Sequence, residues 1–397
     1  MHATQEENLT PLSDERKAYI RKSKRIVLKL GTKVLLSHYL QGGKDGQIMR
    51  LVDDIAYYHE KGYQIAIVSS GAVGFGMNQI GLEQRPADLK RIQALASMGQ
   101  SLLMQKWNEL FARKGLKTGQ ILLTYDIIEN RKRFLYARDC MLSLFKYGAI
   151  PIINENDSVA IDELKFGDND ALSVLVSNLM DADLLVMFTD TDGLFTKNPH
   201  RSSDSKRIGY LDKIDKDIFN FIDDKKGQLS LGGMTSKLQA ALRSTQGGAG
   251  VVICSGFTPD LKGILSGEDI GTFIRADRKY QKKRKRWISF NDRIKGKVMI
   301  DNGAVTALVR NQRSLLPGGV TGVEGNFPVG SVVGIYNADL ELIGKGISYY
   351  SSQEIDRIKG QRTGNINKDT VKRFYHEIIH RDNMIILKEE TSEHEDA

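Results

Sequence analysis

The sequence predicts an α/β protein: an αβα sandwich around a mostly parallel central sheet, followed by a small β-rich domain. Short apolar runs rich in Val, Ile and Leu alternate with segments of helical period along most of the chain. The runs at residues 25–30, 64–68, 119–124, 150–153 and 184–188 exit mainly into Gly, Ser, Thr, Asn or Asp. In an open α/β sheet, ligands bind beyond those carboxyl ends. Past Ile288 the apolar pieces shorten and turn signals crowd together, which marks a second domain.

Composition sets the bounds. At 397 residues, 41% hydrophobic and 27% charged, the chain has the make-up of a globular protein with room for more than one core. No apolar run reaches the length of a membrane span. Residues 1–24 lack a signal peptide's apolar segment. The expectation is a cytoplasmic protein with no membrane partner. Cys140 and Cys254 give neither a disulfide framework nor zinc spacing. Much of the net charge of +8 lies in residues 278–286. That run reads as a solvated linker ahead of a nucleic-acid contact.

Taken in order, the first strand is 25–30. Lys29 interrupts it near its edge, where a lysine either snorkels to solvent or offers a cation to a phosphate. Gly31-Thr32-Lys33 reads as a tight turn. A helix over 48–61 carries Leu51, Val52, Ile55 and Tyr58 at helical spacing, and Gly62 stops it. Strand 64–68 exits into Ser69-Ser70-Gly71-Ala72-Val73-Gly74-Phe75-Gly76, a small-residue turn suited to an anion. Its glycine spacing is not the dinucleotide fingerprint, and no Walker sequence follows a strand. The helical stripe through Leu95, Met98, Leu102 and Trp107 reads as core or a subunit contact. Strand 119–124 and helix 131–147 follow.

The strand beginning at Ile150 runs into Asn154, Glu155, Asn156 and Asp157, polar groups that no buried strand tolerates without partners. Gly167-Asp168-Asn169-Asp170 then opens a helix over 171–180. Asp168 suits the N-cap, but capping cannot use every acid here. Strand 184–188 exits into Thr189 and Asp190, placed for a ligand, whereas Asp192-Gly193 is a turn signal. Residues 197–228 are polar and weakly periodic, a surface-wrapping segment. Leu231-Gly232-Gly233-Met234-Thr235-Ser236-Lys237 offers amide donors, hydroxyls and a lysine at a helix N-terminus, a setting for polyphosphate. The domain's last strand is expected at 250–254.

Six of these motifs together resemble the amino-acid kinase family: 27–32 (VLKLGT), 68–73 (VSSGAV), 153–157 (INEND), 165–170 (KFGDND), 189–194 (TDTDGL) and 232–237 (GGMTSK). The resemblance covers nearly everything from Ile26 to about Lys388. It implies that Lys29, Thr189, Asp190 and residues 231–237 bind ATP, and that Ser70, Asp157 and Asn169 bind the amino-acid substrate. The chain departs from the family pattern at Leu231, where a threonine is expected, and in the order Thr235-Ser236. Both sites belong to a loop that works largely through backbone N–H groups. The implied activity is ATP-dependent phosphorylation of the γ-carboxylate of L-glutamate, with Mg²⁺ bridging the phosphates. Proline as a feedback inhibitor and a homo-oligomer, dimer or tetramer, are implied with it. Lys29 and Lys237 are expected to clamp the transferred group, and Asp190 to accept from both and hold them.

The β-like pieces at 297–300, 330–336 and 342–347 are separated by Asn302-Gly303, Pro317-Gly318-Gly319 and Asn337-Ala338-Asp339. Ser351-Ser352-Gln353-Glu354 reads as a capping box. This part resembles a PUA domain. Such domains bind RNA elsewhere, but no aromatic platform with basic neighbours is visible here, so a structural or regulatory appendage is favoured. The expected layout is a polar extension over 1–23, a kinase domain over 24–276, a basic linker over 277–290, a PUA-like domain over 291–388 and an acidic tail over 389–397. Two alternatives stay open: an RNA-binding protein that kept a kinase-like fold, and a sister kinase for another small carboxylate or carbamate.

Overall fold

The computed structural model describes residues 14–39, 45–124, 127, 131–159, 169–196, 205–214, 218, 234–277, 294–362 and 375–387. The chain divides into two units, Met1–Lys279 and Tyr280–Ala397.

In the first unit, β1 (Arg25–Leu30) lies at the centre of an eight-stranded sheet. Its neighbours are β2 (Gln64–Ser69) and β5 (Leu184–Thr189), both parallel to it. Beyond β2 come β4 (Ala149–Glu155) and the edge strand β3 (Lys117–Leu123). Beyond β5 come β7 (Gly250–Ser255), β8 (Thr272–Ile274) and β6 (Tyr210–Leu211). β8 runs antiparallel to β7, and β6 parallel to β8. The core strands are buried on both faces, which is why they read as continuous apolar runs rather than alternating ones. Ile26, Leu28, Trp107, Phe111, Val186 and Phe188 belong to one hydrophobic core.

Parallel neighbours need crossovers, and helices supply them. They are α2 (Thr32–Tyr39), α3 (Asp45–Glu60), α4 (Ala72–Gln79), α5 (Leu89–Ala112), α6 (Arg131–Lys146), α7 (Asn169–Leu179), α8 (Met234–Gln246) and α9 (Leu261–Ser266). The expected turn at Gly31-Thr32-Lys33 is instead the start of α2, whose Val34 and Leu35 are buried. The last strand of the unit is β8 rather than β7. Residues read as a polar extension contain α1 (Asp14–Lys22). Its Arg16 is fully buried and donates to Asp269 at 3.1 Å and to the Ile270 carbonyl at 2.6 Å, while Ile20 joins the core. Partners so distant in sequence explain why this segment of mixed charge reads only as a polar extension.

Two features set the shape of the site. Gly71 takes φ +109°, a left-handed conformation that glycine adopts without a Cβ penalty, so the chain turns sharply from β2 into α4. α4 and α5 then approach with little between them. A Cβ on Gly99 would collide with the Ala72 carbonyl, and one on Gly76 with the Leu95 carbonyl. α7 is buried along nearly its whole length, between the sheet and α8. Its polar residues bond within the helix: Ser173 Oγ donates to the Asp170 carbonyl at 2.6 Å and Ser177 Oγ to the Ser173 carbonyl at 2.8 Å.

The second unit holds a five-stranded sheet in the order β10-β9-β11-β12-β13, formed by Val320–Glu324, Lys297–Ile300, Val332–Tyr336, Leu342–Ile347 and Met384–Ile386. All pairings are antiparallel except β9 with β11. Asn302-Gly303 is not a turn. Asp301 caps a helix there, α10 (Asn302–Val309), by accepting from Ala304 N at 2.7 Å. The capping box at Ser351 forms and opens α11 (Ser352–Ile358). The basic run of 278–286 and the tail of 389–397 lie outside the described residues.

Gly99→Ala tests the α4–α5 approach. A helical Gly→Ala change ordinarily stabilises by up to about 1 kcal/mol. Here overpacking against backbone reverses the sign, to a loss of about 1–3 kcal/mol in urea unfolding.

Candidate active site

Lys29 sits one residue from the end of β1 and does not snorkel to solvent. Its side chain is 4% exposed, and its Nζ meets the Asp170 carboxylate Oδ1. The other Asp170 oxygen, Oδ2, lies 3.3 Å from Lys237 Nζ and also accepts from Ser236 Oγ at 3.3 Å. Asp170 is 1% exposed and Lys237 13%. One carboxylate thus spans two ammonium groups brought from β1 and α8, and the trio keeps a formal charge of +1. Among the described residues this cluster presents two cations around one acid, an arrangement suited to an anionic ligand.

This corrects the expected role of Asp190. Asp190 pairs instead with Lys33 at 3.1 Å, where Lys33 is 80% and Asp190 41% exposed. The physical reason is position: Asp190 lies just past the end of β5, facing the first turn of α2, whereas Asp170 lies inside the first turn of the buried α7. Burial pulls the Asp190 carboxyl upward, but hydrogen bonds from Lys33 and Thr189 and the charge of Lys33 outweigh it and leave the group below its usual value. Thr189 closes β5 and is buried. It donates to Asp190 Oδ1 at 3.1 Å, and its carbonyl accepts from Gly256 N at 2.7 Å.

A second constellation adjoins the first. Asn169 Nδ2 donates to Ser70 Oγ at 2.6 Å and to Asn154 Oδ1 at 3.1 Å. Asn154, 3% exposed, donates onward to Gln100 Oε1 at 2.8 Å. The ends of β2 and β4 are thereby tied to the N-terminus of α7 and the middle of α5. Trp107 Nε1 donates to Ser69 Oγ at 2.9 Å, which pins the residue beside Ser70. Asp157 lies in the wall of a cavity of about 300 Å³ that Gln100, Glu155 and Asn156 also line.

The structure therefore brings together Lys29, Lys237, Ser70 and Asn169, with Asp157 joined through the cavity wall. Met234, Thr235 and Ser236 occupy the first turn of α8 with Lys237. Leu231, Gly232, Gly233 and the proposed cap Asp168 lie outside the described residues. Sequence reasoning missed Asp170, Asn154 and Gln100 as working residues. Asp170 read as one more acid in a helix's first turn, and Gln100 stands within an apolar helical stripe.

A pair of lysines around a buried acid, beside amides at neighbouring strand ends, is an arrangement suited to phosphoryl transfer to a small molecule. The chain belongs to the amino acid kinase family, whose model matches residues 24–255, and a PUA domain model matches residues 296–369. It is 42% identical over 373 residues to the glutamate 5-kinase of Geobacter metallireducens, covering 94% of this chain and 100% of that one. It is 39% identical over 369 residues to the glutamate 5-kinase of Moorella thermoacetica, covering 93% and 97%. Among solved structures, a carbamate kinase from Giardia lamblia is 18% identical, covers 65% of this chain and 100% of that chain, and gives a TM-score of 0.47. That likeness is too low to add to the family assignment. Membership of a kinase family implies ATP as the phosphoryl donor.

Asp170→Asn is expected to lower kcat by about 100-fold or more, because it releases both lysines from their transition-state positions. Asp190→Asn breaks the exposed pair with Lys33 and should shift stability by less than about 1 kcal/mol in urea unfolding. Equal losses of rate in the two variants would overturn the assignment of Asp170.

Proposed function

We propose that this chain transfers the γ-phosphoryl group of ATP to the γ-carboxylate of L-glutamate, giving L-glutamyl 5-phosphate, the first step of proline biosynthesis. The Lys29–Asp170–Lys237 cluster is the observation that carries this reading, with the Ser70–Asn169–Asn154 amides beside it. A carboxylate acceptor is already ionised near pH 7 and needs no general base. The reaction instead needs charge neutralisation and in-line placement of attacking and leaving oxygens. Lys29 and Lys237 supply two fixed cations, and Asp170 positions them. Ser70 and Asn169 orient the acceptor, and Asp157 takes its ammonium. The first turn of α8, with Thr189 and Asp190, holds the nucleotide.

Mg²⁺ belongs to this proposal as a companion of ATP, neutralising phosphate charge. Both Asp170 oxygens are taken by lysines, and among the described residues no group of three or more His, Cys, Asp or Glu could hold a metal. The donor set thus fits an ion carried largely by phosphate oxygens and water. Proline as a feedback inhibitor overlapping the glutamate site, a homodimer or homotetramer, and a cytoplasmic location complete the reading.

The decisive assay offers ATP with glutamate, aspartate, N-acetylglutamate or carbamate and traps the acyl phosphate with hydroxylamine. Glutamate-dependent hydroxamate is expected, and its absence would sink the proposal. In the same assay Asp157→Asn should raise the glutamate KM by about 10-fold or more, the cost of a charged hydrogen bond, with the ATP KM little changed. An equal rise in both would remove Asp157 from the substrate site.

A further inference from the structure

The cavity beside the amide relay carries information that the transfer chemistry leaves unused. Its wall is formed by one face of α5, through Ser97, Gln100 and Ser101, by β3, and by the last residue of β4 with those that follow it. Two carboxylates, Glu155 and Asp157, belong to that wall, and no Lys, Arg or His stands among the described residues lining it. An ammonium group is satisfied there. A carboxylate is not, unless neutral donors receive it.

Gln100 is such a donor. The relay runs in one direction: Asn169 donates to Asn154, and Asn154 donates to Gln100 Oε1. The acceptor end of the Gln100 amide is therefore occupied and its Nε2 is left over. That atom is buried and has no hydrogen-bond partner among the described residues. A buried donor without a partner is uncommon and calls for an explanation. At the wall of a cavity, a ligand acceptor supplies one. The relay also joins this amide to Asn169, the residue immediately before Asp170, so a ligand held by Gln100 is held in register with the two lysines.

We propose that Gln100 reads the α-carboxylate of the amino-acid substrate through its side-chain N–H, while the acidic wall at Asp157 takes the α-ammonium. This rests on L-glutamate being the acceptor. Gln100 then sets specificity for a free α-amino acid, because an acceptor without the α-carboxylate leaves the same donor buried and unmatched.

The test uses the full-length enzyme, ATP, and two acceptors that share the γ-carboxylate: L-glutamate and its α-amide. Wild type is expected to favour glutamate strongly in kcat/KM. Gln100→Glu keeps the oxygen that receives Asn154 and replaces only the donor. It should raise the glutamate KM by about 10- to 100-fold, the range for a hydrogen bond to a charged group. The ATP KM should stay unchanged and the α-amide KM should fall, since that amide can donate to the new carboxylate. The inference is overturned if wild type uses both acceptors equally well, a comparison that needs no variant. It is also overturned if Gln100→Glu leaves the glutamate KM unchanged or shifts both acceptors alike. A wild type that phosphorylates neither acceptor overturns the proposed function itself, which tells the two failures apart.

Discussion

Asp170 divides its two oxygens between two ammonium groups, and the rest of the kinase unit can be understood as the scaffold that this sharing requires. Among the described residues one carboxylate is shared by two lysines in a place from which water is largely excluded. Such an arrangement is unfavourable for stability alone. It becomes useful when a polyphosphate arrives, because cations already fixed in place need no reorganisation during transfer. The burial of α7 on nearly every side holds this acid in place.

The amide network extends that rigidity sideways. Ser70 leaves β2 through a left-handed glycine, and the α4 that follows is locked against α5 by two glycines whose neighbours are backbone atoms. α5 carries Gln100 to Asn154, and Asn154 carries the connection to Asn169. Backbone cannot rotate out of the way as a side chain can, so the distance between α5 and the strand ends is set by the chain itself. The geometry of the Ser70–Asn169–Asn154–Gln100 network is thus a property of helix packing as much as of its side chains.

Much of this was legible in the sequence. The strand exits were, because fully buried parallel strands are apolar from end to end and the polar residues that end them stand out. Lys29 was visible as a cation at such an exit, and Lys237 as one at a helix N-terminus. Asp170 was not, since Asp168, Asn169 and Asp170 all suit the first turn of a helix and sequence spacing cannot say which of them faces inward. The bridging role was expected of Asp190, yet Asp190 lies beyond the buried layer and meets Lys33 instead. Local signals misled elsewhere for a related reason. Asn302-Gly303 carries a turn signature, but the preceding Asp301 accepts from Ala304 N and starts a helix. The polar N-terminal segment gave no sign of α1, because Arg16 finds its partners Asp269 and Ile270 253 and 254 residues on.

The wide sequence spacing of Lys29, Asp170 and Lys237 also bears on how the enzyme comes into being. Contacts between residues distant in sequence form late, after the intervening loops have been closed. A chain made from its N-terminus releases β1 with its lysine well before α7 exists, and Lys237 follows Asp170 by a further 67 residues. Incomplete chains therefore hold one lysine without its acid, or one pair without the second cation. Assembly of the Lys29–Asp170–Lys237 cluster is in this way tied to completion of the kinase unit, so a chain that ends before Lys237 lacks part of it.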